Sequence, residues 1–138
     1  MASLAAGFVL LTAGAAHLGN PYYFITRVLA YDLVGARVAL GLALLLPSLE
    51  MVLGVCLICR VAPLSAQIVT TVLLATFIAA QGIALARGLK IDCGCFGPAA
   101  PQQISATTIL RTSALAATAL AAAACEHVRT RRGVYQGE

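Results

Sequence analysis

Four long apolar runs occupy most of a chain of only 138 residues, and this constrains the fold more than any other feature. They lie at about 2–19, 34–60, 64–87 and 104–125. Spanning the hydrocarbon core of a bilayer takes roughly 20 apolar residues per helix, so four spans use about 80 positions and leave short connections. Composition agrees, with 61% hydrophobic and 10% charged residues. A soluble domain carries about 45–50% and 25%, and one small core cannot hide the excess. The expected fold class is all-α, a single-domain integral membrane four-helix bundle in the cell membrane. A secreted disulfide knot, a soluble enzyme fold and a nucleic-acid reader are excluded, the last because its basic charge needs a solvated face.

The first run, Ala2 to Gly19, carries no Asp, Glu, Lys or Arg and is closed by Asn20-Pro21, read as a helix stop. Ala13-Gly14-Ala15 resembles a signal-peptidase site, but the basic segment a signal peptide needs is missing, so the run is read as a span. Residues 20–36 mix Tyr22, Tyr23, Phe24 and Tyr31 with Arg27 and Asp32, the composition of a loop lying at the membrane surface. Only a very short turn around Arg60 and Pro63 separates the second and third runs, which requires an antiparallel hairpin. The alanines of the fourth run allow close helix approach in lipid, where dispersion holds helices together.

The net charge of +4 bears mainly on topology. Arg60, Arg129, Arg131 and Arg132 fall on one side, and Arg27, Arg37, Arg87 and Lys90 on the other. The tail, 126–138, is the densest basic cluster and follows a span directly, which places both termini in the cytoplasm and residues 20–33 and 87–103 outside.

The loop 87–103 is the main polar stretch, and it holds Asp92-Cys93-Gly94-Cys95-Phe96-Gly97. Glycine and proline forbid a regular helix after Cys93, and the glycines leave backbone and sulfur accessible. A bond between cysteines with a single intervening residue closes a tight ring, and strained or exposed disulfides are the labile ones. Thiol–disulfide exchange suits such a pair; a structural disulfide and half of a metal site are the alternatives. Lys90, Arg87 and Arg111 are placed to stabilise a thiolate, whereas Asp92 opposes it.

Cys56-Leu57-Ile58-Cys59 closes the second run. Its two Cβ atoms lie about 5–6 Å apart on one helix face, more than a disulfide prefers, and cysteine is also an ordinary small apolar packing residue. If both pairs instead carry soft metal, Cys93, Cys95, Cys56 and Cys59 form a thiolate ladder for ions such as mercury or copper(I). Cys125 has no near partner in sequence and reads as passive.

Glu50 lies deep in the second run, where a charge costs at least about 2.5–3.5 kcal/mol. It is expected to be protonated in part or paired with Arg111, with Pro47 one turn earlier opening room beside it. Its role is either an ion pair between helices or a proton relay, in which Glu50 and Arg111 carry protons or hold a quinone head group. His17 and Gln81 complete a polar pocket.

At the Asp92–Gly97 motif the chain resembles the MauE family, methylamine-utilisation membrane proteins related to the DoxX-like redox proteins. Leu46-Pro47, Glu50, Gly54, Phe77, Arg87, Ile104-Ser105 and Leu110-Arg111 add to the resemblance, which runs from the first span to about residue 120. His17 stands where the pattern has lysine, and Cys56 and Cys59 lie outside the pattern. The resemblance implies an extracytoplasmic thioredoxin-like partner, a methylamine dehydrogenase-like client rich in disulfides, and thiol or sulfur redox chemistry of the kind linked to quinone.

Overall fold

The computed structural model describes residues 2–95, 97–99 and 101–135. Phe96 of the cysteine motif and the last three residues of the basic tail lie outside the described residues. The fold is all-helical: α1 (Ala2–Gly19), α2 (Pro21–Ala30), α3 (Ala36–Cys59), α4 (Pro63–Ala86) and α5 (Ala106–Tyr135). By length and composition α3, α4 and α5 can each cross a membrane, and a fourth crossing is reached if α1 and α2 count as one span bent by 101°. The chain is thus a multi-pass membrane protein.

Two segments differ from their sequence reading. Residues 21–30 form a helix rather than a surface loop, because Asn20-Pro21 starts a helix here instead of stopping one: Asn20 is the N-cap and Pro21 takes the first helical position. Proline suits that position, since its missing N–H has no intrahelical acceptor there. At the other end α5 continues to Tyr135 instead of ending near Cys125. Alanine and arginine are strong helix formers, so nothing local stops it. Thirty residues span about 45 Å, longer than the hydrocarbon core.

Helices α1 and α3 run antiparallel in close contact, and glycines set their spacing. A Cβ on Gly54 would stand 2.9 Å from the Gly7 carbonyl oxygen and 2.7 Å from Leu11 Cγ; one on Gly14 would stand 3.1 Å from the Pro47 carbonyl oxygen. In lipid such close backbone approach supplies dispersion contact that larger residues would prevent. Ala6 and Leu10 of α1, Leu53 and Leu57 of α3, and Ala66 and Leu73 of α4 form the main core cluster. Helix α5 packs chiefly on α4, and α1 chiefly on α3. Between these two pairs, towards the end that carries the cysteine loop, lies a cavity of about 260 Å³.

At the opposite end α3 and α4 are joined by Arg60, Val61 and Ala62, with left-handed backbone at Arg60 and Ala62 and Pro63 starting α4. Arg60 donates to Glu126 at 2.7 Å, tying this turn to α5.

Candidate functional site

The loop after α4 folds down onto the helices instead of standing away from them. Backbone hydrogen bonds from Cys93 N to Gln102 O (2.7 Å) and from Ile104 N to Ile91 O (3.0 Å) close its two arms into a short antiparallel bridge at Asp92 and Gln103. Cys93 and Cys95 are joined by a disulfide at the turn. Cys93, Gly94 and Gly97 are buried and Cys95 is half-buried. The glycines therefore serve close packing rather than access. Gly94, at φ +75°, would place a Cβ 3.1 Å from Arg27 Cβ, and Gly97, at φ +69°, one 3.2 Å from Ala16 Cβ.

The close fit at Gly94 lets its carbonyl reach His17, whose Nε2 lies 2.6 Å away. On the other side of the ring, His17 Nδ1 is 2.9 Å from Glu50 Oε2. Both side chains are 2% exposed. A backbone carbonyl can only accept, so Nε2 carries a hydrogen and donates it. Nδ1 and Oε2 then share one further proton, either as imidazolium and carboxylate or as neutral imidazole and carboxylic acid. Phe24 of α2 stacks on the imidazole, with ring centroids 4.0 Å apart. Glu50 thus hydrogen-bonds to His17, and Arg111, foreseen as its partner, lines the same cavity from α5.

Above this dyad, Gln81 of α4 directs its Nε2 amide at both sulfurs, 3.6 Å from Cys93 and 3.7 Å from Cys95. Gln81 is 1% exposed, and its Oε1 has no hydrogen-bond partner among the described residues. An amide N–H facing sulfur favours the thiolate over the thiol without bringing in a charge. Of the three cations expected to do this, Arg111 lines the same cavity as both sulfurs. Arg87 donates to the Asp32 carbonyl oxygen at 3.2 Å, and Lys90 is exposed. Asp92 is balanced by Arg27 at 3.5 Å.

Helix α2 supplies the contacts that the sequence reading missed. Arg27 packs over the Tyr23 ring at 4.8 Å while it holds Asp92, and Tyr31 donates to the Cys93 carbonyl oxygen at 3.3 Å. Burial pushes the Tyr31 hydroxyl up to about 12, so it remains a donor over the whole physiological range. Tyr23, Arg27 and Tyr31 recur every four residues, a helical period that would have signalled one face.

The other cysteine pair is arranged differently. Cys56 and Cys59 are both free, Cys56 half-buried and Cys59 exposed. Cys59 lies nine residues beyond Glu50 on α3, about 14 Å along the axis away from the dyad. A thiolate ladder would have to bridge that gap, and among the described residues no three His, Cys, Asp or Glu side chains cluster as metal ligands. Cys125 is free and exposed.

The sequence profile described as methylamine utilisation protein MauE matches residues 1–125. The chain belongs to the MauE family. Comparison with curated proteins and with solved structures gives no match. The matched range includes the positions of the site just described, among them His17, Glu50, Gln81, Cys93 and Cys95.

Proposed function

We propose that this MauE-family protein is a four-span thiol–disulfide exchange protein of the cell membrane. Cys93 and Cys95 are its redox pair, and an extracytoplasmic thioredoxin-like protein is its partner. In this reading α1, α3, α4 and α5 span the bilayer, α2 lies at its outer surface, and both termini are cytoplasmic. The family description supports a place in methylamine utilisation, with a disulfide-rich client such as methylamine dehydrogenase served through the partner.

The observation that carries the proposal is the convergence of buried polar groups on one disulfide: Gln81 on both sulfurs, and His17 with Glu50 on the intervening Gly94 carbonyl. A structural staple needs neither. Buried polar groups are costly unless satisfied.

The unequal burial of the sulfurs gives the exchange an order. A partner thiolate attacks Sγ of the more exposed Cys95, the Cys93–Cys95 bond breaks, and Cys93 leaves as a thiolate beside the Gln81 amide. The partner's second thiolate attacks its own sulfur in the mixed disulfide and releases Cys95. The partner dithiol is oxidised to a disulfide, the Cys93–Cys95 pair is reduced to a dithiol, and two protons pass from the partner's thiols to the pair. Glu50 and His17, with one proton shared between them, hold the loop at the reacting bond.

The test is a single turnover: oxidised full-length protein mixed with a reduced thioredoxin-like protein, the new thiols then alkylated and weighed. Two thiols should appear, at Cys93 and Cys95. Full oxidation of the partner by both Cys93→Ser and Cys95→Ser variants would overturn the mechanism.

A further inference from the structure

The buried His17–Glu50 pair carries a proton that no other group lining the site can match. Both residues line the same cavity of about 260 Å³ as Cys93 and Cys95. The other titratable side chains of that lining are Arg27 and Tyr31 from the α2 segment and Arg111 from α5, while α4 contributes the neutral Gln81. Arginine keeps its proton in proteins, so neither guanidinium can supply one. Tyr31, held up to about 12, keeps its hydrogen on the Cys93 carbonyl oxygen. Asp92 and Lys90 are not among the lining residues. That leaves the hydrogen shared by His17 Nδ1 and Glu50 Oε2, which lie 2.9 Å apart.

We infer that the His17–Glu50 pair is the proton donor to the Cys93 thiolate released when the disulfide opens. The inference rests on the thiol–disulfide reading above and names the acid of that step. Cys93 is buried, and a bare thiolate costs far more there than in water. The Gln81 amide eases that charge but leaves it in place. As the partner thiolate bonds to Cys95 Sγ, the electron pair of the Cys93–Cys95 bond moves to Cys93 Sγ, and the shared proton follows it to make the thiol. The pair is left as neutral imidazole and carboxylate, with Nε2–H still on the Gly94 carbonyl. Two acceptors then face each other at 2.9 Å, so the pair takes up a proton again, equivalent to the one the partner's thiol shed on becoming a thiolate. The partner's second proton passes to Cys95 on the more exposed side, and protons and electrons balance over the turnover. The carrier between the pair and the sulfur is water. Gln81 Oε1 is buried without a partner among the described residues, an acceptor placed to hold a water's hydrogen. The cavity has room for such a water.

The experiment follows reduction of the oxidised full-length protein in lipid nanodiscs by dithiothreitol, each rate being divided by the concentration of dithiothreitol thiolate. Glu50→Gln is the informative variant, because its side-chain amide donates to His17 Nδ1 and preserves the hydrogen bond while it has no acidic proton to yield. Its normalised rate should fall by about 10²-fold, the lower end of the range for general acid catalysis. The native rate should be slower in D2O than in H2O, and the variant should lose that isotope effect. Thermal unfolding and an intact Cys93–Cys95 disulfide verify the fold of the variant. Native rates and an unchanged isotope effect in Glu50→Gln, the result a purely structural role predicts, would overturn the proton donor and leave the exchange reading standing. Should the variant not fold, the native protein alone decides: equal normalised rates in H2O and D2O would contradict the inference. A native protein that dithiothreitol reduces with the isotope effect, but that a reduced thioredoxin-like protein leaves oxidised, would instead remove the exchange reading and uphold the proton donor.

Discussion

The two cysteine pairs lie at opposite ends of the same molecule and show how surroundings, not spacing, decide what a thiol can do. Cys56 and Cys59 have the spacing often associated with redox motifs, yet they close a regular helix as free thiols. Their neighbourhood is an exposed ion pair, Arg60 with Glu126. Cys93 and Cys95 are separated by a single residue and disulfide-bonded, and four helices contribute groups around them, His17, Arg27, Glu50 and Gln81, with Tyr31 at the end of α2. Helical geometry keeps the first pair's Cβ atoms apart. The glycine at position 94, with positive φ, turns the second pair's sulfurs towards each other and into the protein.

The comparison can be broken most directly by removing thiols. Replacing Cys93 or Cys95 with serine should abolish oxidation of a thioredoxin-like protein, whereas the Cys56→Ser/Cys59→Ser double variant should keep it; single-turnover alkylation reads both. A loss of exchange in the double variant would show that the two ends are coupled.

The buried and exposed ion pairs should differ next. His17→Ala leaves Glu50 and the Gly94 carbonyl without their partner in a site only 2% exposed, at a cost of about 3–5 kcal/mol. Arg60→Ala breaks a contact whose arginine is 59% exposed, and should cost at most about 1 kcal/mol. Thermal unfolding in detergent, with disulfide reduction rates measured alongside, separates the two.

A smaller contrast concerns two glycines of one loop. Gly94→Ala meets both a left-handed φ and the Arg27 side chain, while Gly88→Ala meets the same φ with nothing within 4 Å. Left-handed backbone costs a non-glycine residue about 1–2 kcal/mol, so both variants should lose stability. Only Gly94→Ala should also speed reduction of the disulfide by dithiothreitol.

The smallest expected effect is alkaline. Tyr31 titrates near 10 when unfolded and is held to about 12 when folded. Its folded pKa is raised, so its contact with the Cys93 carbonyl contributes fully below pH 10 and is lost as the pH rises towards 12. Disulfide reduction rates should climb more steeply over that interval in the native protein than in Tyr31→Phe, the rise common to both being that of the reductant's thiolate. Equal slopes in both would remove Tyr31 from the loop's docking.

Much of the helical architecture was legible because apolar runs of this length have few alternatives in a chain so poor in charge. Glu50 was legible for the same reason, being polar where the pattern calls for apolar residues, and the cysteine motif because it lies in the main polar stretch between two apolar runs. The pairing of Glu50 was not, since His17 is 33 positions away and nothing local fixes which helix faces it. Helix α2 was hidden by its tyrosines and charges, which fit an interfacial loop as well as an amphipathic helix. The Asn20-Pro21 pair, equally suited to ending or starting a helix, did not decide between them. The depth of the cysteine loop depended on Arg27 and Ala16, against which Gly94 and Gly97 pack, and such fits leave no periodic trace in sequence.

The central claim is that Cys95 is the entry point of a redox pair. It is tested most directly with a thioredoxin-like protein carrying one active-site cysteine activated as its thionitrobenzoate disulfide. Mixed with the reduced Cys93→Ser variant, it should release one thionitrobenzoate and leave a mixed disulfide that mass spectrometry maps to Cys95, while Cys95→Ser should react far more slowly. Attachment at Cys56 or Cys59, or equal rates for the two serine variants, would contradict the account.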